Sequence, residues 1–411
     1  MLRLTRLFGS AFLILCLLAF GGKLFGLPLG SGLVNVPLGP TATPVTITIW
    51  YGTEKQAWLT AAQARFAATN PTIDGHPIRI VLKGQGSAEM AQKIGRENFD
   101  AGEDKPTVAS PASSLWLPVM EQEWAARNAT PLLPAGTAAP QPLVLTPIVL
   151  VAWQQRADVL WPNGERDGQF WTRIHEALVS QSWAKIGGKE QWGQVKFGHT
   201  SPLLSNSGAQ ALVLMAYGYY HKSNGLTVAD VNNAAFKTWL TEIESTVPAF
   251  GESTGTFMNE MVLKGPGAYD MALVYENLAI GRVDEQTRNG RIEQAQGRQG
   301  QPIRVYYPPA TSISDHPYAI LHAPWVSELQ QRAAANFRDF LLQRPQQELA
   351  LDYGFRPADP NVSITTNDPN NPFVKYKDYG VQVQIDQQVA TPDAQVLTEL
   401  LEIWRRGNFD R

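Results

Sequence analysis

From residue 45 onward, short apolar runs alternate with helical stripes of hydrophobic positions. Residues 45–51, VTITIWY, are β-branched or aromatic throughout, which predicts a strand covered on both faces. Gly52-Thr53-Glu54 then turns into a helix over 55–68, where Trp58, Leu59, Ala62 and Phe66 share one face and Asn70-Pro71 stops the run. Residues 78–82, IRIVL, predict a second strand, followed by Gly84-Gln85-Gly86-Ser87 and a helix that begins at Ala88. A third short strand over 106–109 leads through Ser110-Pro111-Ala112-Ser113-Ser114 into a helix over 115–124. Strand, polar loop and helix recur three times, the pattern of right-handed βαβ units on a mostly parallel sheet. Ligands of such sheets sit outside the carboxyl ends of the strands, and Thr53, Ser87 and Ser110 all fall there.

The pattern changes at residues 142–153, PLVLTPIVLVAW, an apolar run of twelve interrupted by Pro147. Its length and its proline suit a crossing between two lobes better than a place inside one sheet. A strand over 192–197 precedes FGHTSPLLSNSG and an apolar helix that carries Leu212, Met215, Ala216 and Tyr219. Ser205, Asn206 and Ser207 crowd the start of that helix, where hydroxyl and amide side chains cap free N–H groups and a polar or anionic group docks equally well. A cap alone explains one such cluster; its recurrence favours a ligand site. Ser253-Thr254-Gly255 opens another short helix, and a strand over 269–275 ends at Tyr275-Glu276. Thr227 and Asp230 form an imperfect capping box. Residues 281–301 are polar and predict a surface excursion, 303–309 a return crossing, and 329–342 and 396–404 helices, with an Asn- and Pro-rich loop over 361–378 between them.

Composition narrows the function. Hydrophobic residues make up 44% of the 411 and charged ones 17%, ample for a core, and the net charge of −3 comes with no basic stripe for nucleic acid. Arg3 and Arg6 precede a fourteen-residue apolar run over 7–20, as in an export signal or an uncleaved N-terminal anchor. The one cysteine, Cys16, lies in that run behind Leu15 rather than a small residue, which argues against lipidation, and no intramolecular disulfide can form. The six histidines are scattered without HExxH or CxxC spacing, so no metal site and no cofactor are expected. His199 and His316 read as loop-fixing hydrogen bonders. Ser205 or Ser253 pairs with either only on paper, because neither serine lies in a GxSxG elbow.

Thr53-Glu54 after the first strand, Gly86-Ser87 at the second helix, Ser110-Pro111 after the third strand, Tyr275-Glu276 after a late strand, and the closing AAANFRDFLLQRP and QELALDYGFRP together resemble bacterial extracellular solute-binding proteins of ABC importers. The nearest likeness is to the branch related to molybdate- and sulfate-binding proteins. The resemblance implies a type II periplasmic-binding fold: α/β, two lobes, each a mostly parallel sheet flanked by helices, with two crossing strands near 143–151 and 305–311 as the hinge. Residues 1–21 would be the signal or anchor, 22–44 a linker, 45–145 with 309–411 the first lobe, and 146–308 the second. The protein would reside in the periplasm or be anchored by residues 7–20 at the outer face of the inner membrane, capture a small polar solute and hand it to a membrane permease, with no catalysis. Carried-over contacts are Thr53, Ser87 and Ser110 in the first lobe and Ser207 and Tyr275 in the second; Glu54, Ser205, Asn206, Ser253, Thr254 and Glu276 flank them. Glu54, Glu89, Glu252 and Glu276 beside these hydroxyls would repel a tetrahedral anion, so two or more of them in the cleft would favour a cation, an amine or a polyol. A ligand-sensing or interaction module and an extracellular serine hydrolase are the competing classes.

Overall fold

The chain forms two six-stranded sheets and passes from the first into the second at one long strand. The computed structural model describes residues 42–409 apart from 163, 165–168 and 296–301; the expected signal or anchor at 1–21 and nearly all of the 22–44 linker lie outside the described residues. The first sheet is built from β1 (Val45–Gly52), β2 (Thr72–Ile73), β3 (His76–Gln85), β4 (Val108–Ser110), β5 (Gln141–Pro142) and, late in the chain, β11 (Pro317–Ile320), in the order β2-β3-β1-β4-β11-β5. β1 pairs in parallel with β3, Val45 opposite Ile78, and with β4, Tyr51 opposite Ser110. Helices α1 (Gln56–Ala68), α2 (Ser87–Gly95) and α3 (Trp116–Ala125) follow β1, β3 and β4, so all three helix entries lie at one edge of the sheet.

β6 (Val144–Trp153) is the long crossing strand. Its start pairs with β12 (Arg356–Pro357) and β10 (Ile313–Ser314), and its end with β8 (Met271–Tyr275) and β9 (Ile303–Tyr306), all antiparallel. Parallel pairing therefore holds at the centre of the first sheet, whereas in the second only β7 (Phe197–Gly198) and β8 are parallel, because β6 enters that sheet from the other one. The return also differs from the expected segment: β9 lies inside the second sheet, and the chain goes back through β10 and β11, at 313–317. Residues 281–295 of the polar stretch are helical, as part of α10 below, because Glu, Gln, Arg and Ala sustain a helix, with Ala279, Ile280 and Val283 buried as its apolar footing among the described side chains.

The second sheet carries α4 (Gln154–Leu160), α5 (Phe170–Ser180), α6 (Asn206–Tyr219), α7 (Val228–Asn232), α8 (Ala234–Glu244), α9 (Thr254–Lys264) and α10 (Glu276–Ala295). α6 is buried at every residue from Asn206 to Tyr217, which makes it the central helix of this half. α11 (Glu328–Leu341) and α12 (Arg344–Asp352) pack Ala333, Phe337, Leu341 and Ala350 against the first sheet. Beyond β12 the chain returns to the second sheet: Phe373 of α13 (Pro372–Lys375), Tyr376 and Val381 pack with Val149 and Val274, and α14 (Ala394–Gly407) sets Trp404 Nε1 on Glu244. Thr43 to Arg411 form one compact unit.

Candidate functional site

Helix starts in the chain are of two kinds, with and without a side-chain cap, and those that face the junction of the sheets belong to the second kind, as do those of α5, α12 and α14. Thr227, Asn233 and Ser327, at the starts of α7, α8 and α11, accept hydrogen bonds from their own first turns. Gly86, Ser205 and Ser253, at the starts of α2, α6 and α9, are extended in the same way but make no side-chain cap. These three starts meet across the seam. Ala88 N donates to Leu204 O (3.3 Å), and a Cβ added at Gly86 would come within 2.6 Å of the same carbonyl, so only glycine allows that approach. A Cβ at Gly255 would lie 3.4 Å from Thr53 Oγ1, and Asn277 Nδ2 donates to Glu54 O (3.1 Å).

Hydroxyls line this seam. Ser207 Oγ lies 2.7 Å from Thr200 Oγ1 and 2.6 Å from Thr254 Oγ1, and Ser205 Oγ is 3.4 Å from both Ser207 and Thr254. Ser87 Oγ accepts from Ala112 N (3.0 Å), which fixes the loop that leaves Ser110. The Ser110 hydroxyl, at the end of β4, has no solvent contact and no hydrogen-bond partner among the described residues, and the same holds for Ser201 Oγ and His316 Nε2. Asn206 stands at the centre: its Oδ1 accepts from Trp116 Nε1 (2.9 Å), and its Nδ2 donates to Tyr275 OH (2.9 Å) and Ser314 Oγ (3.1 Å).

The charges are matched. Glu54 is buried against Lys55 (Oε1 to Nζ 3.0 Å), and the Lys55 ammonium also meets Pro111 O (3.3 Å) and His316 Nδ1 (3.1 Å). Burial raises the Glu54 pKa, but the Lys55 charge beside it outweighs burial, and the pKa is brought down to about 2. Burial and the Lys55 charge push His316 down to about 4, so at neutral pH its ring is uncharged. An ammonium can only donate, which makes Nδ1 the acceptor and assigns the ring proton to Nε2. Burial, with Glu54 nearby, holds the Tyr275 phenol well above its usual range and therefore neutral. Glu276 points away from the seam into a fork from Arg356 (Nε and Nη2, both 2.7 Å), with Tyr307 OH donating to it as well. Glu89 and Glu252 are exposed. The expected crowd of carboxylates is therefore one buried carboxylate with its own cation. Among the described residues no group of three or more His, Cys, Asp or Glu side chains could hold a metal ion.

Of the sequence-predicted residues, Thr53, Ser87, Ser110, Ser205, Asn206, Ser207, Thr254 and Tyr275 border this one seam. Glu54 reaches it through its backbone, Ser253 is half-buried and bound to Thr256, and Glu276 belongs to the Arg356 pair. His199 is buried against Thr200 O (2.8 Å) and Glu244 (3.1 Å) rather than a serine. Sequence reasoning missed Lys55, Trp116, Asn277 and Ser314. Only Lys55 carried a local signal, since it directly follows Glu54 in the turn after β1.

The sequence profile described as bacterial extracellular solute-binding protein matches residues 47–356. The chain belongs to that family. No curated protein sequence matches it. Among solved structures it is similar to the sulfate-binding protein SubI from Mycobacterium tuberculosis H37Rv, at 18% identity over 87% of this chain and 96% of that one, TM-score 0.53. It is also similar to a periplasmic thiamin binding protein, at 12% identity over 93% and 98%, TM-score 0.58, and to maltose-bound MalE3 from T. maritima, at 13% over 88% and 99%, TM-score 0.52. At such identities the likeness speaks for the fold, which is the two-lobed periplasmic-binding fold of type II. Sulfate, thiamin and maltose are chemically unrelated, so the fold leaves the solute open. Solute-binding proteins of this family serve ABC importers outside the cytoplasm. Among the described residues no helix is long and apolar enough to cross a membrane.

Proposed function

We propose that the chain captures a small polar solute in the seam between its lobes, closes over it about the crossings at β5–β6 and β10–β11, and presents it to the permease of an ABC importer, without catalysis. The lobes are 45–145 and 146–308, with the return segment divided between them: 317–320 pairs in the first sheet and 328–352 packs on it, while 356–357 pairs with β6 and 361–409 accompanies the second sheet. Residues 1–21 export the chain or hold it at the outer face of the inner membrane. Thr53, Ser87, Ser110, Ser205, Ser207, Thr254 and Tyr275 are the solute contacts.

The observation that carries this reading is the meeting of three helix starts without side-chain caps beside the unpartnered Ser110 hydroxyl. The first turns of α6 and α9 have no side-chain acceptor, and N–H groups at such a helix start stand available to a solute that accepts hydrogen bonds. With Glu54 neutralised by Lys55, the carboxylate argument for a cation or an amine falls away. A donor-rich seam without net charge favours a solute that accepts hydrogen bonds, an oxyanion or a polyol.

The test is thermal unfolding against sulfate, molybdate, phosphate, spermidine, divalent cations and sugars. A solute that binds only the folded state stabilises it by ~2.7 kcal/mol at a hundredfold excess over its dissociation constant. We expect a shift from an oxyanion or a polyol, reduced in Ser110→Ala. A shift from spermidine alone would overturn the solute class, and no shift from any member of the panel would move the reading to an interaction module.

A further inference from the structure

Asn206 does for the closed seam what a polar solute would do. Its carbonyl oxygen faces Trp116 on α3, at the entry edge of the first sheet, and its amide nitrogen faces Tyr275 at the end of β8 in the second sheet and Ser314 on the returning strand β10. The amide has one possible orientation, because an indole N–H can only donate and so fixes Oδ1 toward Trp116. Ser314 Oγ gives its own proton to Gln210 Oε1 (3.0 Å) and is left to accept from Asn206. Trp116, Asn206, Tyr275 and Ser314 are at most 2% exposed, so each of these hydrogen bonds is made out of water. Only two other polar contacts described above bind the two sides of the seam directly, Ala88 N to Leu204 O and Asn277 Nδ2 to Glu54 O, and both use a backbone carbonyl.

We propose that Trp116 and Asn206 form a latch that closes the lobes on each other without solute. The Asn206 amide is an internal stand-in for the captured molecule, and a solute enters by competing for Tyr275 OH and Ser314 Oγ while the lobes are open. The two residues are positioning residues: they set the ratio of closed to open chain, and with it the apparent affinity for any solute that needs the open state. This rests on the two-lobe reading above but not on the identity of the solute.

The experiment is hydrogen exchange of the full chain without solute, read by mass spectrometry on the lobe opposite each change. Trp116→Phe keeps the ring and removes the donor; it is read at residues 202–208. Asn206→Ala removes the amide and is read at α2, residues 87–95. Gly86→Ala is the open reference, because its methyl would lie 2.6 Å from Leu204 O while its φ of −66° suits alanine. Each variant removes the one Trp116–Asn206 bond across the seam and strands a buried partner, which should raise exchange on the far lobe about tenfold, with the amides of α8 unchanged. Far-lobe exchange unchanged in both variants while Gly86→Ala speeds it would overturn the latch. So would wild-type exchange already as fast as in Gly86→Ala, since the seam would then stand open. The solute panel has a separate readout, so a silent panel with a working latch defeats the proposed function alone.

Discussion

A lysine with no solvent contact needs partners for all three of its donors, and Lys55 has them in Glu54, Pro111 O and His316. The cluster has a consequence for stability against pH. Moving His316 from the 6.5 of a free imidazole to about 4 corresponds to about 3 kcal/mol. A depressed folded value means that the unfolded chain takes up the proton first, so this stability is complete above pH 6.5 and is lost as pH falls toward 4. Glu54, brought from 4.5 to about 2, acts in the same direction at lower pH: its contribution is present above 4.5 and lost as pH falls toward 2. His199 acts in the opposite sense. Burial lowers its pKa, but Glu244 and Thr200 O outweigh burial and raise it, so its contribution is present below 6.5 and lost as pH rises through the folded value. Urea unfolding between pH 7 and 4.5 should therefore show wild-type stability falling with acid and a flatter profile in His316→Gln, whose amide can still accept from Lys55. A His316→Gln profile parallel to wild type would show that the ring does not titrate as the cluster requires.

At the scale of single elements, serine at a helix start carries two meanings that only the folded chain separates. Ser327 Oγ accepts from Gln330 N and Ser327 N donates in return to Gln330 Oε1, a complete capping box, whereas Ser253 at the start of α9 bonds Thr256 Oγ1 and leaves its first turn uncapped. Ser327→Ala should cost about 1 kcal/mol in chemical denaturation, and Ser253→Ala should stay within about 0.5 kcal/mol. Equal costs would mean that Ser253 supports its helix as Ser327 does and is not an uncapped start. The sequence held the positions of these starts, since strand, polar loop and helix recur with clear periodicity, and it held the Thr227–Asp230 box. It did not hold their capping state, because a cap is a choice of rotamer and the competing partners, Thr254 for Ser205 and Ala112 for Ser87, arrive from distant segments. Lys55 escaped notice for a related reason. Its burial depends on His316, which is 261 residues away, and lysine next to a turn reads as surface until that partner is in place. The glutamates misled in the opposite sense: adjacency to a hydroxyl in sequence said nothing of direction, and Glu276 turns its side chain to Arg356 in β12.

Across the whole molecule, Arg356 joins what the two sheets leave separate. It sits in β12, opposite Leu145 at the start of the crossing strand, and its guanidinium holds Glu276 at the start of α10 with two bonds of 2.7 Å. The same group donates to Gln382 O (2.7 Å) and Val383 O (2.6 Å) of the returning tail, with the Phe373 ring 5.1 Å away. That tail lies past the last residue matched by the family profile, and it is held closely to the second sheet: a Cβ at Gly380, whose φ is +96°, would lie 2.0 Å from Val305 O. Arg356 thus fastens crossing strand, second sheet and tail at one point, away from the seam. Arg356→Met should cost about 3–5 kcal/mol, because Glu276 is fully buried and would keep its charge without its cation. Glu276→Gln in the same background should recover part of that loss, since the stranded charge rather than the missing bonds dominates the cost. Denaturant midpoints of the single and double variants test this. A loss in Arg356→Met no larger than that of a surface substitution, or a double variant that loses the sum of both singles, would mean that the tail is carried by its apolar contacts alone. The lobes could then hinge without reference to it.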